Sequence, residues 1–192
     1  MSRRKTIDRA KVLDAAESVI AAEGARALTF ESVAAAAGVT KGGVQSCFGT
    51  KEALIEALLR RWGELYDEEI SRRTEFTSDP ASRVRAHVEA TAHADDSSTA
   101  RSAALIAALL QSPQHLGWVQ DWYAARLADI AALPDEQVTA ARLAFLATEG
   151  LFFLRHFGLV PMDRKQWEQQ FVDIKALVSP PASQAPRRKA KP

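Results

Sequence analysis

Apolar residues in this 192-residue chain recur at intervals of three and four along most of its length. An α-helix needs that spacing to gather apolar side chains on one face, whereas a half-buried strand would alternate them every second residue. Alanine is abundant and runs of β-branched residues are absent, so strand signals are weak. The pattern predicts an all-α fold of about nine helices: three short helices and a long one, then a helical body.

Threonines mark the starts of the early helices. The first four predicted helices are about residues 8–22, 30–37, 41–48 and 51–74. Thr29, Thr40 and Thr50 each stand just before one of the last three, where a hydroxyl can accept from the N–H groups of a first turn. Gly38 and Val39 separate the second helix from the cap of the third. Two short helices joined by a short turn that contains glycine are typical of a helix-turn-helix.

Proline, glycine and acidic clusters divide the remainder into five more helices. These are about residues 80–94, 99–110, 114–132, 134–158 and 163–178. We therefore expect a helix-turn-helix domain at residues 1–52 and a larger helical domain at residues 53–179. Residues 180–192, PPASQAPRRKAKP, are too poor in apolar residues to build a core, so we expect a disordered basic tail there.

Charge is distributed unevenly although the net charge is only +1. Residues 1–11 hold five basic residues against one acid, and the tail holds four more basic residues, so the stretch between them is acidic overall. A basic end on an acidic body indicates a polyanion bound at one end, although solvated termini give the same pattern. With one cysteine, no secretory signal and no apolar run of about 18 residues, we expect a cytoplasmic protein that has no membrane span.

The predicted third helix carries the residues best placed to read DNA. In a helix-turn-helix the second helix enters the major groove and turns its N-terminal residues toward base edges. Gly42 and Gly43 would let this backbone approach the duplex closely, which gives a reason for two glycines that weaken a helix. Val39, Val44 and Phe48 are expected to be core. The candidate DNA-binding residues are Arg3, Arg4 and Lys5 of a basic arm, with Thr29, Thr40, Lys41, Gly42, Gly43, Gln45, Ser46, Thr50 and Lys51.

Residues 7 to 58 resemble the DNA-binding domain of TetR-type one-component repressors. The resemblance rests on the stretches LTFESVA at 28–34, AGVTKG at 37–42 and FGTKEAL at 48–54. It implies a homodimer, a palindromic operator DNA and a small molecule that releases the protein from it. Residues 118–122 and 149–153 are in addition similar to drug-responsive members. Ser46 and Cys47 depart from an aromatic residue and a histidine that often contact phosphate in the family. This chain is therefore expected either to make fewer contacts to the DNA backbone or to rely more on Gln45 and the basic arm.

The last two predicted helices are the candidates for a dimer interface. The helix at about 134–158 is apolar nearly all round, which gives it more apolar surface than one body buries. In the resembled family such a pair from each subunit forms a four-helix interface with its partner. The alternative is that both helices are central core of a single body.

A ligand pocket in the body is expected to be largely apolar with few polar groups. The candidate ligand-binding residues are Trp62, Tyr66, His87, Leu109, Trp122, Phe145, Glu149 and Phe152. Glu149 stands out because a carboxylate within an apolar stretch is costly unless it has a partner. That partner is either a cationic ligand held with help from the aromatic rings, or an internal group such as Arg142, Arg155 or a buried hydroxyl.

Two other classes of function compete with a ligand-responsive regulator. An enzyme is disfavoured because the four histidines are scattered and the sequence has no nucleophile–base set, phosphate loop or metal-ligand spacing. For the same reasons we expect no cofactor and no metal. The second is a helical adaptor or sensor that has lost specific DNA binding, which the departure at Ser46 and Cys47 would permit.

Overall fold

The computed structural model describes residues 7–74 and 79–179, and its regular structure there is all helical. The nine α-helices of these residues are α1 (Arg9–Glu23), α2 (Phe30–Ala37), α3 (Lys41–Phe48), α4 (Lys51–Arg73), α5 (Pro80–His93), α6 (Asp96–Leu109), α7 (Gly117–Ala131), α8 (Asp135–His156) and α9 (Arg164–Val178). Short 3₁₀ turns lie at Ala25–Ala27 and Pro113–His115. The predicted all-α fold is confirmed.

The three threonine caps fix the starts of α2, α3 and α4. Thr29, Thr40 and Thr50 each accept a hydrogen bond of 3.1 Å from the backbone N–H three residues later. Each cap satisfies a donor that the first helical turn would otherwise leave without a partner. These starts were predictable because a cap depends only on residues that are close in sequence.

Two predicted helix starts are wrong by three residues. Helix α6 begins at Asp96 rather than at about residue 99, because the Asp95 carboxylate caps it by accepting from the Ser98 N–H at 2.8 Å. Helix α7 begins at Gly117 rather than at about residue 114, because Pro113–His115 forms a 3₁₀ turn. The predicted tail at residues 180–192 lies outside the described residues.

Helices α1, α2 and α3 pack with residues 51–59 of α4 into a unit that we call the head. Its apolar cluster is fully or almost fully buried and includes Val12, Ala16, Ile20, Leu28, Val33, Val44, Phe48, Leu54 and Leu58. Two residues from α6, Leu105 and Leu109, belong to the same cluster. The head is therefore closed on one side by a helix that comes much later in the chain.

The start of α7 also docks onto α4. Gly63 of α4 leaves room for the indole of Trp118, which a Cβ at position 63 would overlap. The Arg60 guanidinium lies 5.7 Å from the centre of the same indole. A glycine in the middle of a long helix is thus explained by a close side-chain contact rather than by a bend.

The remainder of α4 and helices α5 to α9 form the body. Helix α5 lies at its centre and contacts α4, α7, α8 and α9. Trp167 and Phe171 of α9 are buried against Val88 and Ala92 of α5, and the Trp167 Nε1 donates to the Ala92 carbonyl at 3.0 Å. Helix α9 is therefore fixed to the body by both apolar contact and a directed hydrogen bond.

Helices α8 and α9 also leave a large apolar face uncovered. By length and composition α8 could cross a membrane, and only 22% of its most apolar window is buried. It nevertheless packs against α5 and α9, and it carries Glu149 in its middle, so we interpret it as a body helix with one uncovered face. The exposed apolar side chains of the pair are Leu143, Leu146 and Leu154 of α8 with Val172 and Leu177 of α9.

Candidate nucleic-acid interface and ligand cavity

Helix α3 presents one polar face to solvent and one apolar face to the head. Gly43, Val44 and Phe48 are buried, whereas the positions between them point outward. The outward set consists of the exposed residues Lys41, Gly42, Gln45 and Ser46 together with the cap residue Thr40. Spacings of one, three and four residues put these side chains on a single helical face, as a helix that reads a groove requires.

The two adjacent glycines of α3 have different surroundings. A Cβ added at Gly42 would meet open space, so this residue adds no bulk to the exposed face. Gly43 is buried, and a Cβ there would collide with the Ile7 side chain and lie 3.2 Å from the Thr40 hydroxyl oxygen. Gly43 is therefore not part of the exposed face, contrary to the prediction that it contacts DNA. Only Gly42 can allow the backbone of α3 to approach a duplex closely.

The charged groups beside α3 are partly engaged already. The Lys41 ammonium forms an ion pair with the Glu31 carboxylate, and both side chains are exposed. Lys41 lowers the pKa of Glu31 by hydrogen bonding to the carboxylate. A phosphate that approached Lys41 would therefore compete with a carboxylate that stays ionised.

Arg9 ties the start of α1 to the end of α3. Its Nη1 donates to the Cys47 carbonyl at 3.0 Å, and its guanidinium lies 4.3 Å from the centre of the Phe48 ring. Cys47 itself is half-buried and its thiol is free. Sequence reasoning did not single out Arg9, because nothing local shows that α1 and α3 meet at this point.

The other predicted DNA-binding residues are distributed around this face. Thr29 and Thr50 are exposed at the N-termini of α2 and α4, where backbone N–H groups favour anions, and Lys51 is half-buried beside Thr50. The arm residues Arg3, Arg4 and Lys5 lie outside the described residues.

A cavity of about 750 Å³ opens between the head and the body. Its apolar and aromatic lining includes Trp62, Leu65, Tyr66 and Phe152, from α4 and α8. Asp14 and Glu17 of α1 supply carboxylates, and Ser98, Thr99, Arg101 and Ser102 of α6 supply polar groups. The volume lies within the roughly 300–1,000 Å³ of small-molecule sites.

Beside this cavity the body holds a chain of buried polar side chains. The Tyr66 hydroxyl is 2.9 Å from His87 Nδ1 and 3.1 Å from Thr91 Oγ1. His87 Nε2 in turn lies 3.0 Å from Glu149 Oε1, and the Tyr123 hydroxyl donates to Glu149 Oε2 at 2.6 Å. We call Tyr66, His87, Thr91, Tyr123 and Glu149 the polar network. Both Glu149 oxygens have partners here, which is the internal pairing with a buried hydroxyl that the sequence left open.

Burial further favours the protonated form of the two tyrosines in the polar network. It raises the pKa of Tyr66, and it raises that of Tyr123, with a further increase from the neighbouring Glu149 carboxylate. Both hydroxyls therefore keep their protons and act as hydrogen-bond donors at neutral pH.

The predicted ligand-binding residues fall into four places. Trp62, Tyr66 and Phe152 line the head–body cavity, whereas His87 and Phe145 line a smaller cavity of about 130 Å³ on another side of the polar network. Trp122 packs against Tyr66 and His87, and Glu149 lies within the network. Leu109 lies in neither cavity but is fully buried in the head cluster.

The carboxylates of α1 are among the cavity residues that sequence reasoning missed, as are Leu65 and the polar groups of α6. Asp14 and Glu17 are exposed or half-buried positions on an amphipathic helix, so they read as ordinary solvated charges. Their role in the cavity depends on α1 lying beside α4 and α6, which no local signal indicates.

Comparison with known proteins identifies both parts of the chain. A family profile described as "Bacterial regulatory proteins, tetR family" matches residues 12–58. A second, described as "Tetracyclin repressor-like, C-terminal domain", matches residues 81–179, just over half of the chain.

The curated relatives of the chain are HTH-type transcriptional regulators. The chain is 35% identical over 95 residues to the HTH-type transcriptional regulator BetI of Paraburkholderia phytofirmans, which covers 49% of each chain. It is 37% identical over 87 residues to BetI of Burkholderia cenocepacia, which covers 45% of each chain. The aligned part thus spans about half the length of these curated relatives.

Solved structures share the whole fold at low sequence identity. The multidrug binding protein EbrR, in complex with imidazole, is 22% identical with a TM-score of 0.66, covering 95% of this chain and 100% of that chain. A transcriptional regulator from Rhodococcus sp. Rha1 is 21% identical with a TM-score of 0.66, covering 90% of this chain and 96% of that chain. At this identity the likeness establishes the fold alone.

Proposed function

The chain belongs to the TetR family of bacterial regulatory proteins, and from that premise we propose that it is a ligand-responsive transcriptional repressor. In this proposal the protein binds a palindromic operator as a homodimer, and a small lipophilic or cationic molecule releases it. The family is one of regulators rather than enzymes, which agrees with the expectation that the chain catalyses no reaction. A cytoplasmic location is part of the proposal, because the operator lies there.

The observation that carries the DNA-binding proposal is the exposed face of α3. Lys41, Gln45 and Ser46 point outward from a helix that is capped by Thr40 and anchored by Val44 and Phe48. Gln45 can form a bidentate pair with adenine, while Lys41 and Ser46 can donate to bases or phosphates. Thr29, Thr50 and Lys51 are proposed to hold phosphates, which fix the register without reading the sequence.

The homodimer is proposed to form through the last two helices. Leu143, Leu146 and Val172 are each more than half exposed, which is unusual for neighbouring large apolar residues on a monomer. A two-fold interface through α8 and α9 would cover them and give the two heads a fixed separation. A palindromic operator, whose half-sites are related by a two-fold axis, requires that arrangement.

The effector is proposed to occupy the head–body cavity. Trp62, Tyr66 and Phe152 offer aromatic faces there, and aromatic faces attract organic cations. The fold neighbour EbrR is described in complexes with ethidium, malachite green and proflavin, and its name calls it a multidrug binding protein. Such aromatic dyes belong to the chemical class that we propose for this chain.

Fluorescence anisotropy on the promoter DNA beside the protein's own gene tests the proposal. We expect binding that prefers this sequence over scrambled DNA and weakens as salt rises. Gln45→Ala should reduce operator affinity by about 10- to 100-fold, and Lys41→Ala should weaken binding and lower the salt dependence by about one phosphate contact. The control is Arg72→Ala, an exposed basic residue at the body end of α4, which should bind the operator as the parent does.

The alternative is a helical adaptor or sensor that has lost specific DNA binding. It is motivated by Ser46 and Cys47, which replace larger phosphate-contacting residues of the resembled family. An adaptor would keep its fold and dimer but show equal, weak affinity for operator and scrambled DNA. That result, with no effect of Gln45→Ala, would reject the repressor.

A further inference from the structure

The head–body cavity is lined by residues of both units. Asp14, Glu17, Ser18 and Ala21 of α1 belong to the head, whereas the remaining walls come from α4, α5, α6 and α8 of the body. A molecule in this cavity would touch the unit that carries α3 directly. Its binding would therefore act on the head directly, without a rearrangement of the body.

Three contacts join the α1 wall of this cavity to α4, and we call them the latch. Arg61 Nη1 donates to Asp14 Oδ1 at 2.6 Å, and Arg61 Nε lies 3.6 Å from Glu17 Oε1. Trp62 Nε1 donates to the same Glu17 oxygen at 2.9 Å. Arg61 and Trp62 lie just beyond the head part of α4, so the latch is located where this helix leaves the head.

The latch is made of groups that can exchange partners. Asp14, Glu17 and Arg61 are all partly exposed, and ion pairs of that kind contribute little because water competes for both charges. A cation that is itself attracted to the aromatic lining can therefore displace the Arg61 guanidinium without a large loss.

The charges that line the cavity favour one positive charge on the ligand. Besides Asp14 and Glu17, the lining carries one charged residue, Arg101 of α6, whose Nη1 donates to Ser97 Oγ at 3.2 Å. If Arg61 swings out to solvent, the two carboxylates exceed the one remaining guanidinium by a single negative charge. Trp62, Tyr66 and Phe152 supply the flat apolar surface that an organic ion needs to leave water.

The carboxylate of Glu149 is a poorer acceptor for the same ligand. Both of its oxygens are held by Tyr123 and His87, and the cavity near His87 measures only about 130 Å³. A ligand there would have to break two buried hydrogen bonds and open a space at the same time.

We propose that the head–body cavity binds a lipophilic organic monocation whose charge replaces Arg61 at Glu17 and Asp14, and that this exchange releases the part of α4 at Arg61 and Trp62, just beyond the head, from α1. The ligand shifts the equilibrium because it binds better once the latch is open than when it is closed. The effect on the operator rests on the proposed function, whereas the binding site does not.

The binding half is tested by calorimetry on the full chain with tetraphenylphosphonium, a lipophilic monocation. We expect Glu17→Gln to lose at least tenfold in affinity and Glu23→Gln, a matched change on an exposed part of α1 outside the cavity, to bind as the parent does. Arg61→Gln should bind more tightly than the parent, because the competing guanidinium is gone. A purely structural ion pair would give no such gain.

Three results would overturn the site. They are no binding of tetraphenylphosphonium to the parent, equal binding of the neutral analogue triphenylphosphine oxide, and a loss in Glu149→Gln with none in Glu17→Gln. The last result would move the cation to the polar network.

The coupling half is measured by operator anisotropy with and without saturating tetraphenylphosphonium. We expect the cation to weaken operator binding of the parent by at least tenfold and that of Glu17→Gln by much less. Arg61→Gln without cation should already bind the operator more weakly. If cation binding depends on Glu17 but no operator is bound, the proposed function fails and the site stands. If the operator is bound and the cation leaves it unchanged, the latch as a switch is wrong.

Discussion

The head and the body differ in the side chains that are buried inside them. The head cluster is apolar throughout, and Val12, Leu28, Val44, Leu54 and Leu58 are completely excluded from solvent. Every buried polar side chain in the described residues lies outside the head, and most belong to α5, α6 and α8: Thr74, His87, Thr91, Thr99 and Thr148. The carboxylate of Glu149 is largely buried beside them.

This difference predicts that the head is rigid, whereas the hydrogen bonds of the body can rearrange. An apolar cluster loses contacts in every direction when it is distorted, so the head is expected to move as a rigid body. A hydrogen-bonded network has discrete alternatives, because each donor can find another acceptor or a ligand. We therefore expect substitutions in the head cluster to act on stability alone, and those in the polar network to act on ligand response as well.

Leu58→Ala should break the head most severely. Leu58 is fully buried where α6 closes the cluster, so the substitution should cost about 2–5 kcal/mol in the free energy of unfolding. Urea denaturation followed by circular dichroism measures the change. Leu65→Ala on the same helix, at a side chain 54% exposed, is the control and should cost far less. Equal losses would mean that the head is not the stable unit.

Glu149→Met should damage the polar network by an intermediate amount. It leaves the Tyr123 hydroxyl and His87 Nε2 without their acceptor, which should cost about 1–3 kcal/mol. Adding Tyr123→Phe should recover part of that loss, because an apolar pair has no buried donor to leave unsatisfied. A double-mutant cycle in urea gives the coupling, and strictly additive losses would contradict a connected network.

Gly42→Ala and Gly43→Ala sharpen the comparison within the head. At position 42 a methyl group meets open space, so the helix should gain up to about 1 kcal/mol in stability while operator affinity falls. At position 43 the methyl group collides with Ile7, so that gain should be reduced or reversed. Thermal denaturation and anisotropy on the two variants separate the effects. Unchanged operator affinity in Gly42→Ala would reject close approach at this residue.

Glu31→Gln should give the smallest effect, and in the favourable direction. It frees Lys41 from its ion pair and removes a negative charge beside α3. Operator affinity should therefore rise about two- to fivefold, a small change because an exposed ion pair contributes little. Glu23→Gln, which removes a charge from the end of α1, is the control. A rise of the same size in the control would indicate a general charge effect.

Much of the fold could be predicted because its signals are local. A threonine cap depends on residues three positions apart, and an apolar face depends on residues three and four apart. The start of α6 was predicted wrongly because Asp95 was assigned to the break between two helices, whereas it caps α6. The family resemblance was also local, since it rested on short stretches around the turn.

The parts of the site that escaped prediction depend on helices that are distant in sequence. Periodicity indicates that Leu109 is buried but not that it is buried against the head. Gly42 and Gly43 look alike in sequence, and only the packing of Ile7 distinguishes them. Asp14 and Glu17 become cavity residues because α1 lies beside α4. The roles of the candidate residues in binding DNA and ligand stay predictions.

Cys47 offers a single natural site for attaching a spectroscopic label. It is the only cysteine in the chain, and it lies half-buried near the end of α3, with its carbonyl held by Arg9. A nitroxide attached there would place one spin label on each head of a dimer without any added mutation. Pulsed electron resonance would then measure the distance between the heads, and its distribution would tell whether a ligand moves them or only loosens them.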